Sequence, residues 1–127
     1  MVKLTYIIFP RPDLDREEAR RRWMEDHGAL MEKHAATLRV ARYVQTPHVA
    51  DPLEEVMASA RGIECRSPLG MAEIYWASRE DLEFSFQDRD GRRAYRELVE
   101  DEKRFATATL SPWLGSEREV IAHGAGA

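Results

Sequence analysis

Two ionisable residues lie on faces of predicted helices that are otherwise apolar. In RRWMEDHGALMEKH, residues 21–34, a step of about 100° per residue places His27 within about 40° of Trp23, on the arc that the helix should bury. In a later helix the same step places Glu102 within about 20° of Tyr95. If both helices pack on one sheet, the imidazole and the carboxyl point into a shared space. A partly buried histidine beside a carboxylate can titrate near neutral pH and transfer protons.

Helical phase leaves two interpretations of this pair open. One is structural: a carboxylate is unfavourable to bury without a partner, so Glu102 and His27 would satisfy each other, or the histidine would bind a backbone carbonyl. The other is an acid–base site, in which His27 is the general acid or base and Glu102 orients and charges it. The second interpretation requires a cavity beside the imidazole.

Further candidates lie on the predicted second strand and on the loop after it. Tyr43 and Gln45 share one face of that strand. If this face meets the helices, Tyr43 can hold or polarise a substrate oxygen; otherwise it lies at an interface between subunits. His48 begins a long connection and can swing over a pocket, although a lone loop histidine is usually only solvated. Gln45 and His48 are predicted substrate contacts, and Trp23 and Trp76 are predicted to shape the pocket wall.

The sequence pattern also predicts the elements that must position these residues. Strands are predicted, from β-branched, aromatic and alternating residues, at 2–9, 38–46, 70–78 and 117–123. One helix begins at the capping box of Asp15 and Glu18 and runs to about residue 35. Another is capped by Asp90 and runs from 91 to about 108. Shorter helical patterns occur within 47–68 and over REDLEFSFQ, residues 79–87.

The predicted order β-α-β-β-α-β is that of the ferredoxin-like α+β fold, with one antiparallel sheet and both main helices on a single face. Both sides of the strands are rich in apolar residues; in the first strand Tyr6 and Ile8 alternate with Ile7 and Phe9. A sheet with a solvated face alternates more cleanly. We therefore expect a second copy to cover the other face, giving a homodimer of the dimeric α+β barrel type. The 127 residues are expected to form a single domain, 1–127.

Composition excludes several classes of function and location. A net charge of −4 argues against a general nucleic-acid or anionic-membrane binder. The apolar run at the N-terminus is too short for a signal peptide or membrane span, and the single cysteine, Cys65, excludes an intrachain disulfide, so the cytoplasm is the predicted location. Arg61 and Arg66 near Cys65 would favour its thiolate, against the simpler interpretation of an idle thiol. His27 and His34 are about 10 Å apart along a helix, too far for one metal ion, and no cofactor is expected.

Several segments resemble the EthD domain family. They are WMEDHGAL at 23–30, RYVQ at 42–45, GMAEIYWAS at 70–78, DEKRF at 101–105 and a final EREV at 117–120. The resemblance spans about residues 3–121, and its most specific parts are Trp23 with His27, and Asp101 and Glu102 with Phe105. It implies the dimeric α+β barrel. Through the ether-degradation system after which the family is named, it also implies a partner oxygenase of the cytochrome P450 type and the oxidoreductase label that members often carry.

The resemblance extends to methylmuconolactone methylisomerase, a structurally similar relative in which a histidine at the place of His27 and a tyrosine at the place of Tyr43 line a pocket. Its pocket cysteine falls on Ile74 here, a departure that argues against a thiolate-dependent mechanism. Relatives of this fold also act as dehydratases, cyclases or cofactor-free oxygenases. The implied function is His-centred proton transfer on a small apolar carbonyl or phenolic compound. A non-catalytic ligand-binding or accessory protein is the alternative, and a haem-dependent barrel is a third.

Overall fold

The computed structural model describes residues 1–107 and 111–124. Four strands form one sheet in the order β2-β3-β1-β4, and each neighbouring pair is antiparallel. The strands are β1 (Val2–Ile8), β2 (Arg42–Pro47), β3 (Gly70–Trp76) and β4 (Trp113–Gly115). This order is that of the ferredoxin-like α+β fold, so the predicted fold class is confirmed.

The first helical stretch has three consecutive parts: α1 (Arg16–Arg21), a π-helical segment (Arg22–His27) and α2 (Gly28–His34). It begins where predicted, because the side chain of Asp15 accepts a hydrogen bond from the Glu18 amide at 3.2 Å. The remaining helices are α3 (Pro52–Ala60), α4 (Arg79–Gln87) and α5 (Arg89–Glu102). The two short helical patterns of the sequence therefore correspond to α3 and α4. No helix in the described part of the chain is long and apolar enough to cross a membrane.

The predicted last strand at 117–123 is wrong. The fourth strand is the shorter β4, and the chain leaves the edge of β1 after Gly115. Beyond that point Glu117 is held by its side chain instead, because its carboxylate pairs with Lys3 Nζ at 3.2 Å. The apolar residues that suggested a strand, Val120 and Ile121, are 77% and 73% exposed.

Three further boundaries differ from the prediction. Asp88, rather than Asp90, caps α5, and the helix ends at Glu102 because a turn follows in which the amides of Phe105 and Ala106 bond the Glu102 carbonyl. The strand predicted from residue 38 starts only at 42. The intervening residues form the turn that closes α2, with Arg39 in the left-handed region at φ 55°.

The core lies between the helices and one face of the sheet. One buried cluster gathers Trp23 and Phe105 around the end of β1, and another gathers Met31, Trp76 and Leu98. Tyr6 and Tyr43 are partly buried and pack against both clusters. The two tyrosines therefore lie between the clusters, where the core has a cavity.

The other face of the sheet is only partly covered. Lys3 and Glu73 form an ion pair at 2.5 Å on this face, and the Tyr75 hydroxyl donates to Glu117 at 3.0 Å. Ile7 and Trp113 are 39% and 57% exposed there. Apolar surface thus remains on the face that the sequence predicted to meet a second copy.

Candidate active site

A cavity of about 50 Å³ lies between the helices and the sheet. Its wall is drawn from β1, β2, β3, the first helical stretch and α5. The apolar part includes Trp23, Ile74 and Trp76, three residues that the sequence analysis placed in the pocket wall. The groups in the wall that ionise are Tyr6, His27, Tyr43, Tyr95 and Glu102.

His27 is fixed in the cavity by a carboxylate. Its Nδ1 lies 2.8 Å from Oδ2 of Asp101, and its side chain is 7% exposed. The ring also packs edge-on against Phe105, with 5.2 Å between the centroids. Because a carboxylate accepts the Nδ1 proton, the neutral ring carries its lone pair on Nε2. No residue in the described part of the chain hydrogen-bonds that Nε2 atom.

Burial lowers the pKa of His27 below its ordinary value, and the hydrogen bond to Asp101 only partly opposes this shift. The imidazole is therefore neutral at pH 7 and can accept a proton. Asp101 is itself held by Arg104, whose Nη1 donates to Oδ1 at 2.8 Å. The same arginine reaches Asp26 at 3.3 Å, so it anchors the carboxylate to the helix that carries His27.

The predicted pairing of His27 with Glu102 is wrong, because the partner is Asp101. Helical phase predicts whether a side chain points towards the sheet. It does not predict which residue of the neighbouring helix α5 lies beside His27. The neighbouring position, 101, therefore reaches the ring while Glu102 lines the cavity. Among the described residues, the Glu102 carboxyl has no hydrogen-bond or ion-pair partner. Burial, helped by the nearby negative charge of Asp101, raises the pKa of Glu102 to about 7.

Two tyrosine hydroxyls complete the polar part of the wall. Burial raises the pKa of Tyr43 to about 12. It also raises the pKa of Tyr6, and the charge of Glu102 adds to that shift. Both hydroxyls therefore stay protonated and can donate hydrogen bonds near neutral pH. The face of β2 that bears Tyr43, which parity had left open, meets the helices. Tyr6 was missed as a site residue; the available signal was a hydroxyl on the helix-facing side of β1.

Gln45 supports the wall rather than lining it. Its Nε2 donates to the carbonyl of Trp23 at 3.0 Å and to the Tyr43 hydroxyl at 3.3 Å. The Trp23 carbonyl also accepts the amide of Gly28, five residues on, which is the bond that defines the π-helical turn. Gln45 was predicted to contact substrate, but its amide is already bonded to the segment that carries His27. It therefore acts on the site through its neighbours.

His48 lies outside the cavity, so its predicted role as a substrate contact there is wrong. Its Nε2 bonds Glu54 at 2.8 Å, and it lines a separate cleft with Ile7 and Phe9 from the other face of the sheet. The strand β2 ends at Pro47, so the alternation of side chains that placed Tyr43 and Gln45 on one face does not extend to His48. The chain then continues to α3. Cys65 lines this second cleft too. Desolvation and the nearby carboxylates of Glu55 and Glu54 raise the pKa of its thiol, which disfavours the thiolate.

Comparison with known proteins identifies the family. The model of the EthD domain matches residues 11–109, and the chain therefore belongs to the EthD domain family. No curated protein matches the chain in sequence. In the described part of the chain, no group of three histidine, cysteine or acidic side chains is placed to hold a metal ion.

Solved structures share the fold at low sequence identity. An ethyl tert-butyl ether D (EthD) family protein from Bacillus halodurans is 20% identical, with a TM-score of 0.63 over 93% of this chain and 99% of its own. A hypothetical Arabidopsis thaliana protein is 9% identical, with a TM-score of 0.59 over 95% and 91%. A dimeric protein of unknown function with a ferredoxin-like fold, from Bacteroides fragilis, is 11% identical, with a TM-score of 0.56 over 91% and 95%.

Proposed function

We propose that this EthD domain is a small-molecule enzyme that transfers protons through His27 without a cofactor. One observation carries the proposal: His27 lines the cavity, its Nδ1 is bonded to Asp101, and its Nε2 has no partner among the described residues. This arrangement supports an unprotonated Nε2 that is available to a ligand. Glu102 lines the same cavity. Its pKa is raised to about 7, so at neutral pH its carboxyl is protonated in about half of the protein molecules. The site thus combines a base and an acid.

The arrangement suits a compound in which a carbonyl group activates a neighbouring C–H bond. Tyr43 and Tyr6 donate hydrogen bonds to the carbonyl oxygen. His27 Nε2 takes the proton from the adjacent carbon, and the electron pair of the broken C–H bond moves to the oxygen, forming an enolate. Where the deprotonated carbon is also bonded to a C=C group, this enolate is a dienolate. Glu102 gives its proton to the far carbon of that group as the double bond shifts and the carbonyl re-forms, which completes an isomerisation, and the proton on His27 then returns to Glu102 through solvent. Dehydration and cyclisation begin with the same step.

The charge of the wall narrows the substrate class. Neither lysine nor arginine is among the described residues that line the cavity, so these residues offer a carboxylate or phosphate no permanent counter-charge. Carbonyl and phenol oxygens need only the hydrogen bonds that the tyrosines can donate. We therefore propose a small, uncharged, mostly apolar carbonyl or phenolic substrate, from catabolic or secondary metabolism.

Replacing His27 by Ala tests this function. We expect a loss of turnover of about 100-fold or more, because general acid–base catalysis contributes about 10²–10⁴-fold. The variant should keep the oligomeric state and circular dichroism of the wild type. His34→Ala is the matched control, since His34 bonds Glu97 at the surface and should leave turnover unchanged. Wild-type turnover by the His27 variant would refute catalysis by this residue.

A second candidate is a non-catalytic ligand-binding or accessory protein that serves an oxygenase or another oxidoreductase. The small volume of the cavity favours it, because a molecule held tightly in about 50 Å³ has little room to change shape. Native mass spectrometry of freshly purified protein distinguishes the two. An unaltered small molecule that copurifies and is never turned over supports the accessory role, whereas a substrate and product pair supports the enzyme.

We also propose that the chain forms one domain, 1–127, and assembles as a homodimer. The neighbours described as dimeric and the apolar surface left on the outer face of the sheet support this assembly. The exposed, unpaired Cys65 suits a reducing compartment, which supports a cytoplasmic location.

A further inference from the structure

The cavity beside His27 is too small for a whole substrate of the proposed kind. Its volume is about 50 Å³. A buried cavity of about 150 Å³ binds one benzene ring, and ligand pockets commonly span about 300–1,000 Å³. A carbonyl group with its nearest carbons fits beside His27, but a ring or a longer chain does not. A substrate that reacts there must extend beyond the cavity.

An outer cleft of about 710 Å³ adjoins the cavity. Three described side chains, those of Tyr6, Val99 and Glu102, line both spaces, and we call this shared wall the throat. Val99 is 49% exposed, so the throat lies at the surface of α5. Movement of its side chains would connect solvent, past Glu102, with His27.

The chemistry of the outer cleft indicates what it can hold. Its apolar wall includes Pro12, Ala106 and Pro112. Two cations stand at its edge, but Arg11 is paired with Asp13 at 2.6 Å and Lys103 with Glu100 at 2.7 Å. Because carboxylates already neutralise these two cations, they offer little to an anionic group. An apolar chain gains more from this surface than a charged one.

We propose that the outer cleft binds an apolar chain of the substrate while the carbonyl end lies beside His27. The substrate class is then an elongated, uncharged carbonyl compound rather than a compact one. The position of the carbonyl end rests on the proposed function. The chain subsite itself is testable by binding alone, independently of turnover.

Binding of straight-chain 2-alkanones with four to ten carbons tests the subsite. Dissociation constants are measured by ¹H–¹⁵N NMR titration of the full chain. Each methylene that enters an apolar site should tighten binding about threefold to fourfold. We expect this increment in the wild type for the longer members, with shifts at Val99 and Ala106 that the shortest member does not cause.

Val99→Trp should fill the throat and remove the increment, weakening the longest ketone at least tenfold relative to the wild type. Arg93→Trp, on the exposed side of the same helix, is the matched control and should keep the increment. His27→Ala should also keep it, which separates this proposal from the catalytic one. An unchanged increment in the Val99 variant, or no binding by any of the ketones, would overturn the proposal.

Discussion

Burial shifts His27 and Glu102 in opposite directions and favours the neutral form of each. It lowers the pKa of the imidazole and raises the pKa of the carboxyl to about 7. At neutral pH the cavity therefore holds a neutral base and a half-protonated acid, without a separated pair of charges. Asp101 makes this possible because it holds the histidine from outside the cavity and leaves Glu102 unpaired.

Replacing Glu102 by Gln should change both pH dependence and stability. The pKa of Glu102 is raised in the folded state, so folding binds protons between about pH 4.5 and 7 and the protein loses stability as pH rises through that window. At pH 8 the variant should exceed the wild type in free energy of unfolding by about 1–3 kcal/mol, and at pH 4 the two should be equal.

The same substitution should lower turnover at pH 6 and abolish the loss of turnover that we expect of the wild type above about pH 7. Glu100→Gln is the control, because that exposed carboxylate pairs with Lys103 at the surface and should shift stability by less than about 0.5 kcal/mol. Urea unfolding at both pH values provides the measurement. Equal stability of the Glu102 variant and the wild type at pH 8 would contradict a buried carboxyl.

The sequence indicated that His27 and Glu102 lie on the buried side. It did not indicate which carboxylate bonds the histidine. Trp23, His27 and Glu102 were assigned to the buried side from a repeat of about 3.6 residues, which depends only on local backbone geometry. The choice between Asp101 and Glu102 as the partner of His27 depends on where the two helices cross. That crossing is a tertiary property, and one residue of error in it changes the partner.

At the scale of elements, the π-helical segment explains how β2 is bonded to the helical stretch that carries His27. Its wider turn leaves the Trp23 carbonyl able to accept a side chain as well as the Gly28 amide, and Gln45 supplies that donor. The Trp23 ring packs against Gly70 at the start of β3. Trp23 thus connects the helix to the sheet twice, through its carbonyl to β2 and through its ring to β3.

Gly70→Ala should damage this junction. An added Cβ would lie 2.5 Å from Cη2 of Trp23 and would also clash with the Thr46 carbonyl, so the indole must move out of the cavity wall. We expect a loss of about 1–3 kcal/mol in the free energy of unfolding, with weaker ligand binding. Thermal and urea unfolding with a ligand titration measure both effects.

Gly28→Ala provides the comparison for that variant. Its Cβ would meet Gln45 Oε1 at 3.4 Å, and alanine is the better helix former by about 0.5–1 kcal/mol. This variant should be as stable as the wild type or slightly more so. If both glycine variants lost the same stability, the close approach of Trp23 to β3 would not be the cause.

Element types were predictable from the sequence, but several boundaries were not. The capping residues Asp15 and Ser78 act locally, and the helices that follow them begin at once. The π-helical segment was not predicted, and part of its bonding comes from outside the helix, because Gln45 of β2 donates to the Trp23 carbonyl. The final strand was misplaced because Val120 and Ile121 have strand propensity but no sheet edge to join, since β1 pairs with Trp113–Gly115.

At the scale of the whole molecule, the two faces of the sheet have different roles. One face and the helices enclose the cavity, and the other retains exposed apolar side chains beside the Lys3–Glu73 ion pair. Contiguous apolar surface of this kind commonly marks an interface. The proposed dimer would cover it, whereas the outer cleft is lined mainly by residues of α5, of the loop before α1 and of the chain after α5.

Ile7→Asp should convert the proposed dimer to a monomer. Ile7 lies on the outer face of β1, and a buried charge at a symmetric interface is introduced twice. Light scattering coupled to size-exclusion chromatography measures the mass. Val99→Asp makes a similar change on the helix side and should remain dimeric. A dimer in both variants would place the interface elsewhere.

The central claim is that His27 presents an unprotonated Nε2 to the cavity while Asp101 holds its Nδ1 proton. ¹⁵N NMR of the imidazole reports both the tautomer and the pKa. We expect the Nδ1–H tautomer at pH 7 with a pKa below that of free histidine, and the opposite tautomer in Asp101→Asn, whose amide would donate to Nδ1. A wild-type ring that carries its proton on Nε2, or that is charged at pH 7, would contradict the account.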